Sequence, residues 1–159
     1  MPPQTSAPKE MEGRPRSVLV IESNMLDEVA EKITAEVERF VLLLVVEADK
    51  LSDAVVPTHA KRLLDRGAVY VCVWGPDCER VHDCFDRIIV SNATEPADGA
   101  DCIMTTWHSR DTLEEAVWFF QNAANPTDGF RLRLQTKWCR RATGLQYRSR
   151  VGFSWHGRG

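Results

Sequence analysis

No stretch of this chain has the length of a membrane span. The longest apolar run is "FVLLLVV" at 40–46, against the roughly 20 residues a spanning helix needs. The opening "MPPQTSAPKEMEGRPR" holds no apolar core. It is therefore not a secretory signal, and it reads as a disordered leader over 1–16. Cysteine offers no disulfide framework, since there are five, an odd number, at irregular spacing. Without an export signal they read as reduced thiols of a cytoplasmic protein. Neither a G-x-G-x-x-G turn nor a Walker loop occurs. That removes the usual backbone cradles for dinucleotides and nucleoside triphosphates, and no other motif names a cofactor.

Acid is missing from the end of the chain. All 23 Asp and Glu lie at or before Asp128, whereas 8 of the 20 Lys and Arg follow it, from Arg131 to Arg158. The remaining 12 basic residues leave the body near −11 and the tail near +8. A body so acidic repels phosphates. Nucleic acid is thus excluded as a partner except through the basic tail, where Trp138, Tyr147 and Trp155 offer rings for stacking on bases.

What is present is an alternation of strands and helices. "SVLVI" (17–21) is a short branched apolar run and predicts a strand. Leu26, Val29, Ile33 and Val37 recur at helical spacing, which predicts a helix over 25–38. "FVLLLVV" and "AVYVCVW" (68–74) read as strands buried on both faces. Ala60, Leu63 and Leu64 mark a helix between them, with Gly67 as its C′ residue. Gly75 then reads as an N-cap and Pro76 as the first position of a helix whose stripe is Val81, Cys84, Phe85 and Ile88. "CIMTTW" (102–107) is a further strand. Asp111 with Glu114 reads as a capping box for a helix carrying Leu113, Ala116, Val117, Phe120 and Ala124. A fifth strand is possible near 130–135. Strands followed by helices imply βαβ units. The expected fold is a three-layer α/β domain of Rossmann-like or flavodoxin-like kind, with a mostly parallel sheet and helices on both faces. Its expected bounds are 17–135, followed by a basic, disordered tail over 136–159 that shows no apolar period.

The segments "YVCVWGPDCERVHDCFD", "IMTTWH" and "TLEEAVWFF" resemble a family of uncharacterised bacterial proteins, a domain of unknown function with WGPDC-type and MTTWH motifs. The resemblance spans about residues 40–125. It implies a fold and carries no activity with it.

Cys72, Cys78, His82 and Cys84 crowd around the Gly-Pro turn. Their spacing, C-x₅-C-x₃-H-x-C, is not the paired pattern zinc prefers. Cys72 belongs to a buried strand and Cys84 to a core stripe, so no metal is expected. Cys78 falls in the first turn of its helix, where the dipole lowers a thiol's pKa. His82, one turn on, lies within reach as a base. The plainer reading of all four is structural sulfur and a packed histidine.

Open α/β sheets bind ligands beyond the carboxyl ends of their strands. Glu47 and Asp49, then Trp74, Gly75 and Asp77, then Thr106, Trp107 and His108 converge there. Glu47, Asp49, Trp74, Asp77 and Trp107 are the candidate ligand-binding residues, and Cys78 and His108 the candidate catalytic ones. Trp118 and Phe119 flank the core face of their helix, and a neighbouring helix is expected to cover them. The absence of an acid and base paired on adjacent motifs favours a binding protein, accessory or regulatory, for a small molecule or protein. The alternative is a small hydrolase-type enzyme using Cys78 or His108.

Overall fold

Branched apolar runs become strands here, and stripes of period 3.6 become helices. The computed structural model describes residues 17–23, 26–33, 38–93, 102–126 and 132–138. In chain order the elements are β1 (Ser17–Ser23), α1 (Leu26–Lys32), β2 (Phe40–Val45), a single 3-10 turn η1 (Ala48–Lys50) and α2 (Val55–Asp65). Then come β3 (Ala68–Trp74), α3 (Cys78–Asn92), β4 (Met104–His108), α4 (Leu113–Asn122) and β5 (Leu132–Trp138). All four strand pairings are parallel, in the order β1-β5-β2-β3-β4.

Two apolar clusters sandwich this sheet. Phe40, Leu42, Leu44, Val71 and Val73 point to one face, where Val29 of α1, Ile33 just after it, Leu63 of α2 and Phe85 of α3 cover them. Val41, Leu43, Tyr70 and Cys72 point to the other face and meet Phe120 and Ala124, at and just beyond the end of α4. Every residue of β2 is buried, as a strand covered on both sides must be. The protein is therefore a three-layer α/β fold with a parallel sheet and helices on both faces.

The direction of travel explains the layers. β2 to β3 and β3 to β4 each step outward with their helix on the first face. β4 to β5 returns across β3 and β2, so a right-handed crossover must lie on the second face. α3 and α4 thus leave neighbouring strands toward opposite faces. The carboxyl ends of β3 and β4 form the switch point where such sheets open a crevice.

Several expectations shift in detail. β2 begins at Phe40 as expected and ends at Val45, one residue early, and the described part of α1 ends at Lys32. Residues 34–37 of the expected helix lie outside the described residues. α3 begins at Cys78 rather than Pro76, with Asp77 as N-cap in place of Gly75. The fifth strand forms, sits inside the sheet, and runs to Trp138, three residues beyond the expected boundary. The leader and residues 139–159 lie outside the described residues.

Candidate functional site

The turn after β3 is shaped by one glycine. Gly75 has φ +126°, a conformation closed to residues with a Cβ, and a Cβ there would sit 2.1 Å from the Val46 carbonyl oxygen. This close approach locks β3's exit against β2's exit. Two backbone bonds hold it, Val46 N–H to the Trp74 carbonyl (2.9 Å) and Ala48 N–H to the Pro76 carbonyl (3.0 Å). Asp77 follows in the left-handed region, φ 58°, which aspartate tolerates better than most residues. Its carboxylate accepts from Arg80 Nε at 2.6 Å. Arg80 also donates to Asp53 at 2.8 Å and to the Ala48 and Leu51 carbonyls. Asp77 is thus tied into a clamp joining α3 to η1 and the loop before α2.

Cys78 is fully buried. Burial pushes its thiol up, and hydrogen bonds involving the backbone of His108, Cys78 and Gly75 only partly oppose that. The expected activation by the helix N-terminus is outweighed by loss of solvent. Cys84 is buried in the same cluster and likewise pushed up, while Cys72 lies in the opposite cluster. The cysteines therefore fall on both sides of the sheet. Among the described residues no three His, Cys, Asp or Glu side chains come together as metal ligands.

His82 turns toward β4. Its Nε2 lies 3.1 Å from Thr105 Oγ1 and 3.5 Å from Asp86, and its Nδ1 lies 3.1 Å from Asp83. The Thr105 hydroxyl also donates to Asp86. Trp107 lays its ring 4.5 Å from the His82 ring, centroid to centroid. These partners, not Cys78, hold the imidazole.

His108 ends β4, in register with Trp74 of β3. It is 6% exposed. Its Nδ1 lies 2.6 Å from Asp111 Oδ2, its Nε2 lies 3.3 Å from Thr106 Oγ1, and its ring packs 4.9 Å from Phe119. Trp74 Nε1 donates to the Asp111 carbonyl at 2.8 Å. Thr106 also bonds Tyr70, whose phenol burial pushes up. Asp111 is the residue that the sequence pattern hid. The capping box is Thr112 with Glu115, whose amide donates to Thr112 Oγ1 at 3.2 Å. Asp111 is thereby free to turn back onto His108. The i, i+3 spacing of His108 and Asp111 was the available signal.

Trp74, Cys78 and His108 are thus gathered at the switch point. Trp107 sits one residue back on the opposite face, 45% exposed. Glu47 and Asp49 are set apart, in and just before η1. There Glu47 accepts from Lys50 Nζ at 2.6 Å and Asp49 is exposed. Trp118 is 63% exposed, so no described helix covers it, whereas Phe119 packs against Tyr70 and His108. An interior cavity of about 10 Å³, lined by residues such as Leu44, Val56 and Leu63, has room for about one water.

No described helix is long and apolar enough to cross a membrane. No curated protein and no solved structure matches the chain. Residues 24–136, from just after β1 to within β5, match the model of a family described as a domain of unknown function (DUF7684), and the chain belongs to that family.

Proposed function

We propose that this chain is a cytoplasmic accessory or regulatory binding module. Its small-molecule or protein ligand seats over the carboxyl ends of β3 and β4, against Trp74, Trp107 and the His108–Asp111 pair. One observation carries the reading: the reactive groups at the switch point are already engaged or neutral, while an aromatic ring beside them is open. Cys78 is buried with its thiol pushed up. Both nitrogens of His108 have side-chain partners within 3.3 Å. Trp107, one residue back and on the opposite face of the same rim, is half exposed. Rings held rigidly by strand and neighbour make good contact area at low entropic cost.

A second reading has one feature in its favour. The 2.6 Å Asp111–His108 contact is the geometry of a base held by an orienting carboxylate. The group in line with Nε2 is the Thr106 hydroxyl at 3.3 Å, which Tyr70 also engages, whereas Cys78 meets only the backbone of His108.

A panel of small polar metabolites, screened by thermal shift on the full chain, separates the two. A compound that raises the parent's midpoint and has no effect on Trp74→Phe and Trp107→Ala supports the module. Turnover of p-nitrophenyl acetate that disappears in Cys78→Ser or His108→Asn overturns it in favour of the enzyme.

A further inference from the structure

We infer that the outer edge of β4 is a docking site for an extended, basic segment of a partner protein, which adds to the sheet as a sixth strand. Among the described residues β4 is the last strand of the sheet and pairs with β3 alone. Among the described residues no other backbone bond reaches Met104–His108. Proteins usually guard such an edge with lysine, proline or a bulge. "MTTWH" contains neither residue, and its pairing with β3 runs without a register shift. Instead it carries large apolar side chains open to solvent on both sheet faces, Met104 at 47% and Trp107 at 45% exposure. A strand added to an open edge gains main-chain bonds from the ladder and specificity from alternate side chains.

The charge of the occupant follows from α3, which runs beside this edge. A groove on it is lined by Asp77, Glu79, Arg80, Asp83, Asp86 and Arg87. Arg80 is held by Asp77 and Asp53, and Arg87 Nε donates to the Asp83 carbonyl at 3.3 Å. Asp83 and Asp86 remain partly exposed, at 63% and 47% of their side chains. Each already touches His82, and Asp86 also accepts from Thr105. A carboxylate has about four acceptor positions, so both retain capacity for a cation. The Trp107 ring packs on the same histidine that both aspartates touch, 4.5 Å from His82 centroid to centroid. A planar guanidinium suits that place, stacked on indole with its edge toward a carboxylate.

The inference extends the binding-module reading to a second surface and shares only Trp107 with it. Its test uses the full chain and a fluorescein-labelled peptide of sequence RVRTRVRT, followed by anisotropy. Trp107→Ala should weaken binding at least tenfold, and Trp107→Phe should recover part of the loss. Asp83→Asn should weaken it severalfold and flatten its salt dependence. Glu114→Gln, an acid on the far face, should leave it unchanged, as should Trp74→Phe, which alters the rim alone. N-methylating alternate peptide residues should abolish binding in one frame and spare it in the other, because only one side of an added strand meets β4. Equal losses from Glu114→Gln and Trp107→Ala would mean diffuse attraction to an acidic body and overturn the proposal. So would indifference to N-methylation in both frames, or sedimentation showing the edge occupied by a second copy. Loss of peptide binding by Trp74→Phe would also overturn it, by placing the peptide at the rim.

Discussion

Replacing Gly75 with alanine should cost far more than a methyl group normally does. The residue sits at φ +126°, and the new Cβ would lie 2.1 Å from the Val46 carbonyl oxygen, against an optimal contact of about 3.5 Å. Holding a residue with a side chain in that region costs about 1–3 kcal/mol. Relieving the clash means drawing the turn away from β2. That loosens Val46 N–H to Trp74 and Ala48 N–H to Pro76, each contributing about 1 kcal/mol net. The expected loss is about 3–5 kcal/mol, or roughly 10 °C in Tm for a domain of this size. Urea melts give the first number. The second readout is thiol labelling with DTNB under native conditions, since a displaced turn uncovers Cys78. Gly67→Ala is the matched comparison. It has φ +106° and a Cβ 2.0 Å from the Glu38 carbonyl oxygen, but lies at the opposite end of β3. It should lose similar stability while keeping Cys78 protected until the whole domain unfolds. A Gly75 variant within about 1 kcal/mol of the parent, or equal exposure of Cys78 in both variants, would refute the role given to this turn.

Cys78, Cys84 and Tyr70 are all pushed up by burial. The fold favours their neutral forms, so their stabilisation is full below the unfolded values, 9.0 for the thiols, and is lost as pH rises through the folded values. Melts should therefore weaken above about pH 9, and Cys78→Ala should flatten part of that fall relative to its own baseline; an unchanged slope removes Cys78 from the account. Native alkylation followed by peptide mapping should label exposed Cys102 well before Cys72, Cys78 and Cys84. Phe120, fully buried between α4 and the sheet, should cost about 3–5 kcal/mol as alanine, read from urea midpoints. Ending the chain after Trp138 should move Tm by no more than a few degrees, the effect of about 1 kcal/mol, whereas ending it before Leu132 should abolish cooperative melting.

The layers were legible because periodicity reports burial directly. "FVLLLVV" and "AVYVCVW" are apolar on both alternations, and only a strand covered on both faces needs that. The stripe Val81, Cys84, Phe85 is equally plain. The place of β5 was not legible. "LRLQTKW" alternates like a strand covered on one face, and nothing in it says that it inserts between β1 and β2. That order depends on which way the β4–α4–β5 crossover returns, a property of the whole sheet. At the site, the sequence placed Trp74, Cys78, Trp107 and His108 at neighbouring strand ends, which parallel register guarantees. It left open that Trp74 and Trp107 sit on opposite faces, because which face each takes depends on the register between β3 and β4. It mistook the sign of the Cys78 shift, because a helix N-terminus is visible in sequence and solvent exclusion is not. It assigned Asp111 to a cap because Asp111–Glu114 and Thr112–Glu115 have the same spacing. Only the hydrogen bonds distinguish them.

The strand made last lies between the two made first. Among the described residues β1 has no neighbour except β5, and β2 reaches β1 only through β5. As the chain leaves the ribosome, β2, β3 and β4 can zip together in order, with α2 and α3 closing over them. β1 has nothing to pair with until about 110 further residues have been made. Joining it requires a gap of two strand spacings, close to 10 Å, to stay open beside β2 until β5 enters. Such distant pairings close slowly. The molecule's birth is therefore a keystone problem: three of the five strands stand early, and the N-terminal strand waits as an unpaired edge for the C-terminal one to be set. A stalled or shortened chain would leave two exposed strand edges where the finished protein has an interior.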